Sequence, residues 1–441
     1  MQITLTRANH ASVLLVTVFI TGFLTLILGG FLYLASYENT AVARSQIWNE
    51  SMVAAEAGIE EGLSMINRFA GTTTPIENWS ERAIYNGWED LGGNTYLMQR
   101  TIGNAFYRVY ITNQASPMIK SIGYVYNPKT RAYLSRAVYI QNAGGSYFRA
   151  GILAKRGIGL SGSLSIDSFN SQDSASSTGG QYDITKRRDN GNVGTVVSNL
   201  VSAIVGSGSA EIRGRLATGP ASTIQTAGSF SSGSSAWVDA GNNGIQDGWS
   251  RNDLNLYVPE APPLPGGTYF ALPAPGSVTI NAGGGTVRYY YNSKYSMNNY
   301  NYLQITNGTV ILDARAGLRL NAQAEIRIAP GSRLVVYLGS SDTRLNGGGV
   351  INTTGYATNC VFYGKNTCTQ IEVNGSAAFI GQIYAPYSNI QLNGNSDIIG
   401  SMVGDTFDVN GSFAFHYDES LSGPNSGSSA YRVVAWREVT P

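Results

Sequence analysis

IEVNGSAAFIGQIYAPYSNIQLNGNSDIIGSMVGDTFDVNG, residues 371–411, decides the fold. It makes one statement three times: IEVNG at 371–375, IQLNG at 390–394 and FDVNG at 407–411, at spacings of 19 and 17 residues. An apolar patch follows each echo: AAFIGQIYAP, DIIGSMVGD and FAFHYDE. In the pattern apolar–x–apolar–Asn–Gly, the alternate apolar residues share one side of a strand. Asn and Gly tolerate left-handed backbone and so make the corner. A repeat this short cannot bury its own apolar face, so the echoes are predicted to stack as coils of a β-solenoid. LRLNA (318–322) and TRLNGGG (343–349) are looser versions, and GLSGSLSID (159–167) and AEIRGRLATG (210–219) read as earlier ones. A jelly roll or sandwich is the alternative architecture.

Composition sets the wider limits. At 441 residues the chain has room for two or three domains. Lys plus Arg number 29 against 28 for Asp plus Glu, which leaves no electrostatic footprint for nucleic acid. Charged residues are 13%, roughly half the usual share. Glycine (53) and tyrosine (27) are abundant, a profile of β-rich extracytoplasmic structure with many tight turns. With only His10 and His416 present, most histidine-dependent catalysis and metal chemistry is excluded.

From Ala11 to Ala35 the chain reads ASVLLVTVFITGFLTLILGGFLYLA, with no charge. At about 1.5 Å per residue this exceeds the ~30 Å hydrocarbon thickness. The run is longer than the core of a signal peptide, and SYENTAVARSQ after it is no processing site, so a retained anchor is expected. Arg7 and the terminal amine precede the span. The positive-inside rule then places residues 1–10 in the cytoplasm and the rest outside. Ala11, Ser12, Gly22, Gly29 and Gly30 are small enough for close helix approach in the bilayer, or are ordinary transmembrane composition. No proline lies between Ser36 and Phe69. Met52, Ala55, Ile59, Leu63 and Ile66 recur at steps of three and four, so the helix is expected to run on to about residue 69 with one face docked on a folded domain. Glu60 and Glu61 lie off that stripe and read as its water-facing edge.

These features together, ASVLLVTVFI after a few polar residues, a single span and then AAEAGIEEGL (54–63), resemble the N-terminal region of PilX-like type IV minor pilins over about residues 7–70. The resemblance implies packing among other pilin or pseudopilin subunits through this helix. It also implies a prepilin-peptidase junction at His10–Ala11. The family carries glycine where His10 stands, and major pilins carry glutamate where Leu15 stands.

Residues 71–103, with Pro75 and GGN, read as irregular with short helices. AFYRVYITN (105–113), IKSIGYVYN (119–127) and AYLSRAVYIQN (132–142) read as strands, with a turn at NPKT (127–130). The expected order is therefore α+β. A long N-terminal transmembrane helix leads into a small pilin-like antiparallel domain at 70–145. A mainly-β solenoid follows at 146–425, and YRVVAWREV (431–439) closes the chain as a strand within 426–441. The second half, strongest at 371–421, also resembles the β-helix-like domain of unknown function found fused to PilX-like N-termini, over about 150–425.

Three candidate sites remain. Asp239, Asn243 and Asp247 in DAGNNGIQDG have the offsets of a small calcium loop, although Gly241 and Ser250 replace expected ligands; the alternative is a solvated Asn/Gly turn. Cys360 and Cys368 could close a disulfide in an oxidising compartment, or pack as two thiols. HYDE (416–419) sets His416 and Asp418 on one strand face, with a hydrogen-bonding role at the last coil. EIRGR (211–215) is the best charged patch.

The sequence therefore reads as a non-enzymatic, membrane-anchored pilin-like protein of the inner membrane. Its C-terminal domains lie in the periplasm or on a surface filament, and calcium is the one cofactor in question. A surface adhesin or carbohydrate-binding module on a plain anchor is the rival reading, and a β-helix polysaccharide-degrading enzyme the third.

Overall fold

The computed structural model describes residues 10–68, 87–112, 117–144, 146, 148–256, 258–375, 379–423 and 431–440. The tail at 1–9 and the segment around Pro75 lie outside them. The described residues fall into two compact units: a body within 10–65, 87–142 and 433–440, and a head within 66–68 and 143–432.

The body starts with one helix, α1, running His10–Arg68 over 59 residues. Every residue from Val13 to Leu34 is exposed, and α1 is long and apolar enough to cross a membrane. Polar groups inside that stretch are satisfied within the helix. The hydroxyls of Thr17, Thr21 and Thr25 donate to Val13 O, Thr17 O and Thr21 O at 3.1, 2.8 and 2.6 Å, as a lipid surround requires. The sheet that follows runs in the order Glu89–Asp90, Thr95–Ile102, Ala105–Thr112, Met118–Asn127, Ala132–Gly144 and Tyr431–Val439. Its first five strands pair antiparallel. Asn127 Oδ1 accepts from the amides of Lys129 and Thr130 and so sets the expected turn.

One expectation is corrected here. Residues 95–102 form a strand, not irregular chain with short helices. TYLMQRTI buries Tyr96 and Met98 at a period of two, and pairing along the whole of Ala105–Thr112 supplies what propensity does not. The terminal strand Tyr431–Val439 closes the body's sheet beside Ala132–Gly144 and adds no coil to the solenoid.

In the head, each strand pairs in parallel with the strand one coil on, and three apolar ladders run through the interior. On the first face Leu303, Ile326, Val350, Phe379, Ile398, Phe415, Ile166 and Ile212 stand in register. On the second, the repeat echoes superimpose: Leu320, Leu345, Val373, Leu392, Val409 and Leu160. On the third, Leu312, Val336, Phe362, Ile383, Met402, Ile152, Val193 and Leu216 align. These side chains are buried and form one continuous core.

The coils do not stack in chain order. The first coil, Ile152–Phe169, lies on the last, Asp397–Asp418. The chain then adds coils outward to Ser250–Arg251, and restarts at Phe270–Ala271 at the opposite end of the stack. The connection runs VPEAPPLP (258–265), a proline-rich extended strap. It covers the outer side of the third face, where Val258 and Leu264 pack with Val335, Tyr337, Tyr363 and Tyr384. Tyr384 Oη donates to Pro259 O at 2.7 Å.

At the Asn–Gly corner, glycine is required by the stacking itself. Gly411 has φ +143°, and a Cβ there would lie 2.3 Å from Gly394 O. Gly411→Val is expected to destabilise the head by about 3 kcal/mol or more, read as a lowered midpoint in urea unfolding. An unchanged midpoint contradicts the stacked corner.

Candidate functional site

The lower half of α1 meets the sheet through missing side chains. Ala54, Ala55, Gly58, Ile59, Gly62 and Met65 are buried, while Met52 and Leu63 are half-buried. A Cβ on Gly58 would lie 2.2 Å from Ser121 Oγ, and one on Gly62 would lie 2.8 Å from Ile119. From the sheet side, a Cβ on Gly123 would sit 2.1 Å from Ser51 O. Helix and sheet thus approach at backbone distance along a stripe of small residues. The large residues at steps of three and four marked the correct face, but Gly58, Gly62 and Gly123 set the distance.

Glu61 corrects the water-edge reading. Its carboxylate accepts from Arg100 Nε at 2.6 Å and from Tyr107 Oη at 2.5 Å, tying the helix to two strands; Glu60 alone is solvent-facing. Burial, then the Glu61 hydrogen bond, pushes the Tyr107 hydroxyl up. The opposite side of α1 keeps Val42 and Val53 exposed above the apolar span.

On the head, the polar cluster with the most partners gathers where the first and last coils meet. His416 Nδ1 lies 2.6 Å from Asp167 Oδ1, and Tyr182 Oη donates to Asp167 Oδ2 at 2.7 Å. The Tyr182 ring stacks on the imidazole at 3.6 Å. Glu419 accepts from Ser168 Oγ and Asn190 Nδ2, with Arg188 at 3.2 Å, and Asp418 accepts from the Ser171 amide. HYDE therefore clasps the excursion 168–190 onto the coil junction. His416 takes its carboxylate partner from the neighbouring coil, and Asp418 caps the turn Glu419–Ser422. Sequence spacing could not find Asp167, because it lies 249 positions away.

The proposed calcium loop begins at Asp239, whose carboxylate is held by Arg187 at 2.9 Å and by the buried Arg213 at 2.6 Å. Burial raises this carboxyl, but hydrogen bonds and charge from Arg213 and Arg187 outweigh it and hold the group below its ordinary value. A calcium ion would compete with two guanidiniums for this ligand. Asn243 is exposed just before the short strand Gly244–Ile245 and Asp247 is exposed in the turn after it, with Gly241, Gly244 and Gly248 at positive φ. EIRGR supplies the clamp: Arg213 also bonds Glu211 at 2.9 Å.

Cys360 and Cys368 are buried free thiols, a correction to the disulfide. Cys360 opens the strand Cys360–Gly364, whose extended backbone carries the chain about 13 Å away before it turns. Burial raises both thiols, Cys360 with nothing but a small offset from Arg333. His10 and Ala11 lie in the first turn of α1.

Residues 267–423 match the family described as a domain of unknown function (DUF7305). That span takes in the coils from Phe270 to Asp418 and leaves out those from Ile152 to Arg251. Among solved structures, the chain is similar to the DUF3494 domain of Shewanella frigidimarina ice-binding protein_1, at 15% identity over 63% of this chain and 99% of that one, with a TM-score of 0.28. It is also similar to the competence-associated pilin ComZ from Thermus thermophilus, at 12% identity over 89% of this chain and 97% of that one, with a TM-score of 0.27. At such scores the fold rests on the strand pairing described above. No curated protein matches the chain.

Two outcomes are expected. Asp239→Ala strips a buried guanidinium of its best partner and lowers stability by about 1–2 kcal/mol, a figure reduced by the partial exposure of Asp239. The loss is expected with or without calcium in a urea titration, and a loss confined to calcium-loaded protein would assign Asp239 to an ion instead. Burial also raises Tyr295, from 10.0 to about 12, and raises Tyr107, Tyr182, Tyr337 and Tyr417. The folded state holds these protons after the unfolded chain has released them. Their contribution is whole below pH 10.0 and is lost as pH rises through about 12. Melting temperatures should therefore begin to fall near pH 9.0, where the thiols of the unfolded chain ionise, and fall more steeply above pH 10. A flat profile to pH 12 contradicts this burial.

Proposed function

We propose that this chain is a non-enzymatic, pilin-like component or assembly factor of a type IV pilus or related secretion filament, in which α1 anchors and packs and the solenoid is displayed. The observation that carries the reading is the single helix His10–Arg68. Its first half is apolar and bare, and its second half is docked on an antiparallel sheet by Gly58 and Gly62. A plain anchor needs only the first half. A rod that runs on unbroken, keeping Val42 and Val53 exposed on one side above the membrane segment, offers a face to neighbouring helices of the same kind. Thr17, Thr21 and Thr25 satisfy themselves, which leaves the span free to slide among such helices or in lipid.

The proposed topology is N-terminus in the cytoplasm, one pass through the inner membrane, and body and head outside. The non-enzymatic reading rests on Asp239, Glu211 and Glu419 each being held by a partner side chain that fixes the fold locally.

Shearing surface filaments from cells that produce the chain, then immunoblotting and sequencing its N-terminus, tests the reading. The chain is expected in the sheared fraction, and a sequence starting at Ala11 would show processing despite His10. Recovery wholly in the membrane fraction would overturn the filament assignment and favour an adhesin on a plain anchor.

A further inference from the structure

The chain enters the head after Ala132–Gly144 and leaves it before Tyr431–Val439. The first coil, starting at Ile152–Ala154, is paired with Met402–Gly404 of the last. Tyr417 Oη donates to Phe148 O at 2.9 Å across 269 positions of sequence. The folded stack therefore holds its own two ends together. On the body side, the strand leading into the head, Ala132–Gly144, is the sheet neighbour of the strand that follows it, Tyr431–Val439. The head is an insertion between two adjacent strands.

We propose that Tyr431–Val439 is a latch that completes the body's sheet only when the head is folded. The strand sits at the sheet's edge, and Val433, Ala435, Trp436, Arg437 and Glu438 are exposed. Its side-chain grip is local. Arg136 Nε and Nη2 donate to the two oxygens of Glu438 at 2.7 Å, and the Arg437 guanidinium lies 4.7 Å from the Tyr139 ring. Arg136 also lies 4.9 Å over Trp48, so the latched strand secures a residue that touches α1. With the head folded, pairing this strand closes no loop. With the head unfolded, each pairing must close a free loop of residues 143–432, whose entropy opposes it by a factor on the order of 10⁴. Among the described side chains, one ion pair and one cation–π contact join the ladder bonds in holding this exposed edge strand, and they do not withstand that factor.

Hydrogen–deuterium exchange with mass spectrometry on the full chain, in steps of urea, tests this for wild type and for Gly411→Val, which opens the coils earlier. The expected result is that peptides covering 431–439, with those amides of 132–144 that face them, lose protection together with the coils 379–418, by a factor on the order of 10⁴. Ala105–Thr112 and Met118–Asn127 should stay protected to higher urea, and the shared step should move to lower urea in the variant. Native protection of 431–439 after the coils have opened overturns the proposal. So does free exchange of 431–439 while the coils are intact. A single concerted loss that includes Ala105–Thr112 also overturns it, because the whole body and not the latch would then depend on the head.

Discussion

A coil of the head has an apolar interior row and two open sides, and only another coil in matching register can close them. That requirement orders the rest of the molecule. It makes Leu320, Leu345, Val373, Leu392, Val409 and Leu160 one column although they are scattered over the chain. It forbids side chains at the corner, where Gly394, Gly411 and Gly162 approach one another's backbone. It also lets the stack begin in its middle, since a coil recognises register and not chain order.

Starting in the middle has a structural consequence. A solenoid wound from one end to the other leaves its termini far apart. Here the strap 258–265 returns the chain to the opposite end, so the last coil finishes on the first and the two ends meet at Phe148 and Tyr417. Such a unit can be inserted into a small sheet without distorting it. The clasp of His416, Asp167 and Tyr182 sits at this junction, where two segments joined only through the rest of the head must hold. The body uses the same device on a smaller scale: Gly58, Gly62 and Gly123 let helix and sheet meet at backbone distance. In the proposed filament, this separates the rod that packs from the head that is shown.

Much of this was legible in the sequence where one physical demand falls on consecutive residues. The apolar run 11–35, the helix beyond it, the alternating strands and the Asn–Gly echoes each carry a local period. What could not be read depends on partners fixed by the stack. Asp167 opposite His416, Arg213 on Asp239 and Tyr107 on Glu61 are pairings of distant positions. Cys360 and Cys368 are close in sequence, yet the strand between them holds them as separate thiols. TYLMQRTI concealed a strand because its partner, not its composition, makes it one. The strap had a visible signal in VPEAPPLP, whose four prolines cannot donate to a ladder, but nothing local says that it spans the stack.

The account stands on the first coil lying against the last. A double cysteine variant, Ser161→Cys with Asn410→Cys, places two thiols at register neighbours on adjacent coils, within the span a disulfide bridges. Mild oxidation of the folded chain should join them within one molecule, seen as a fragment linkage after proteolysis, while Ser161→Cys with Asn374→Cys should stay unlinked. Linkage of 161 to 374, or free thiols at 161 and 410 in folded protein, would contradict the stacking order on which the whole arrangement rests.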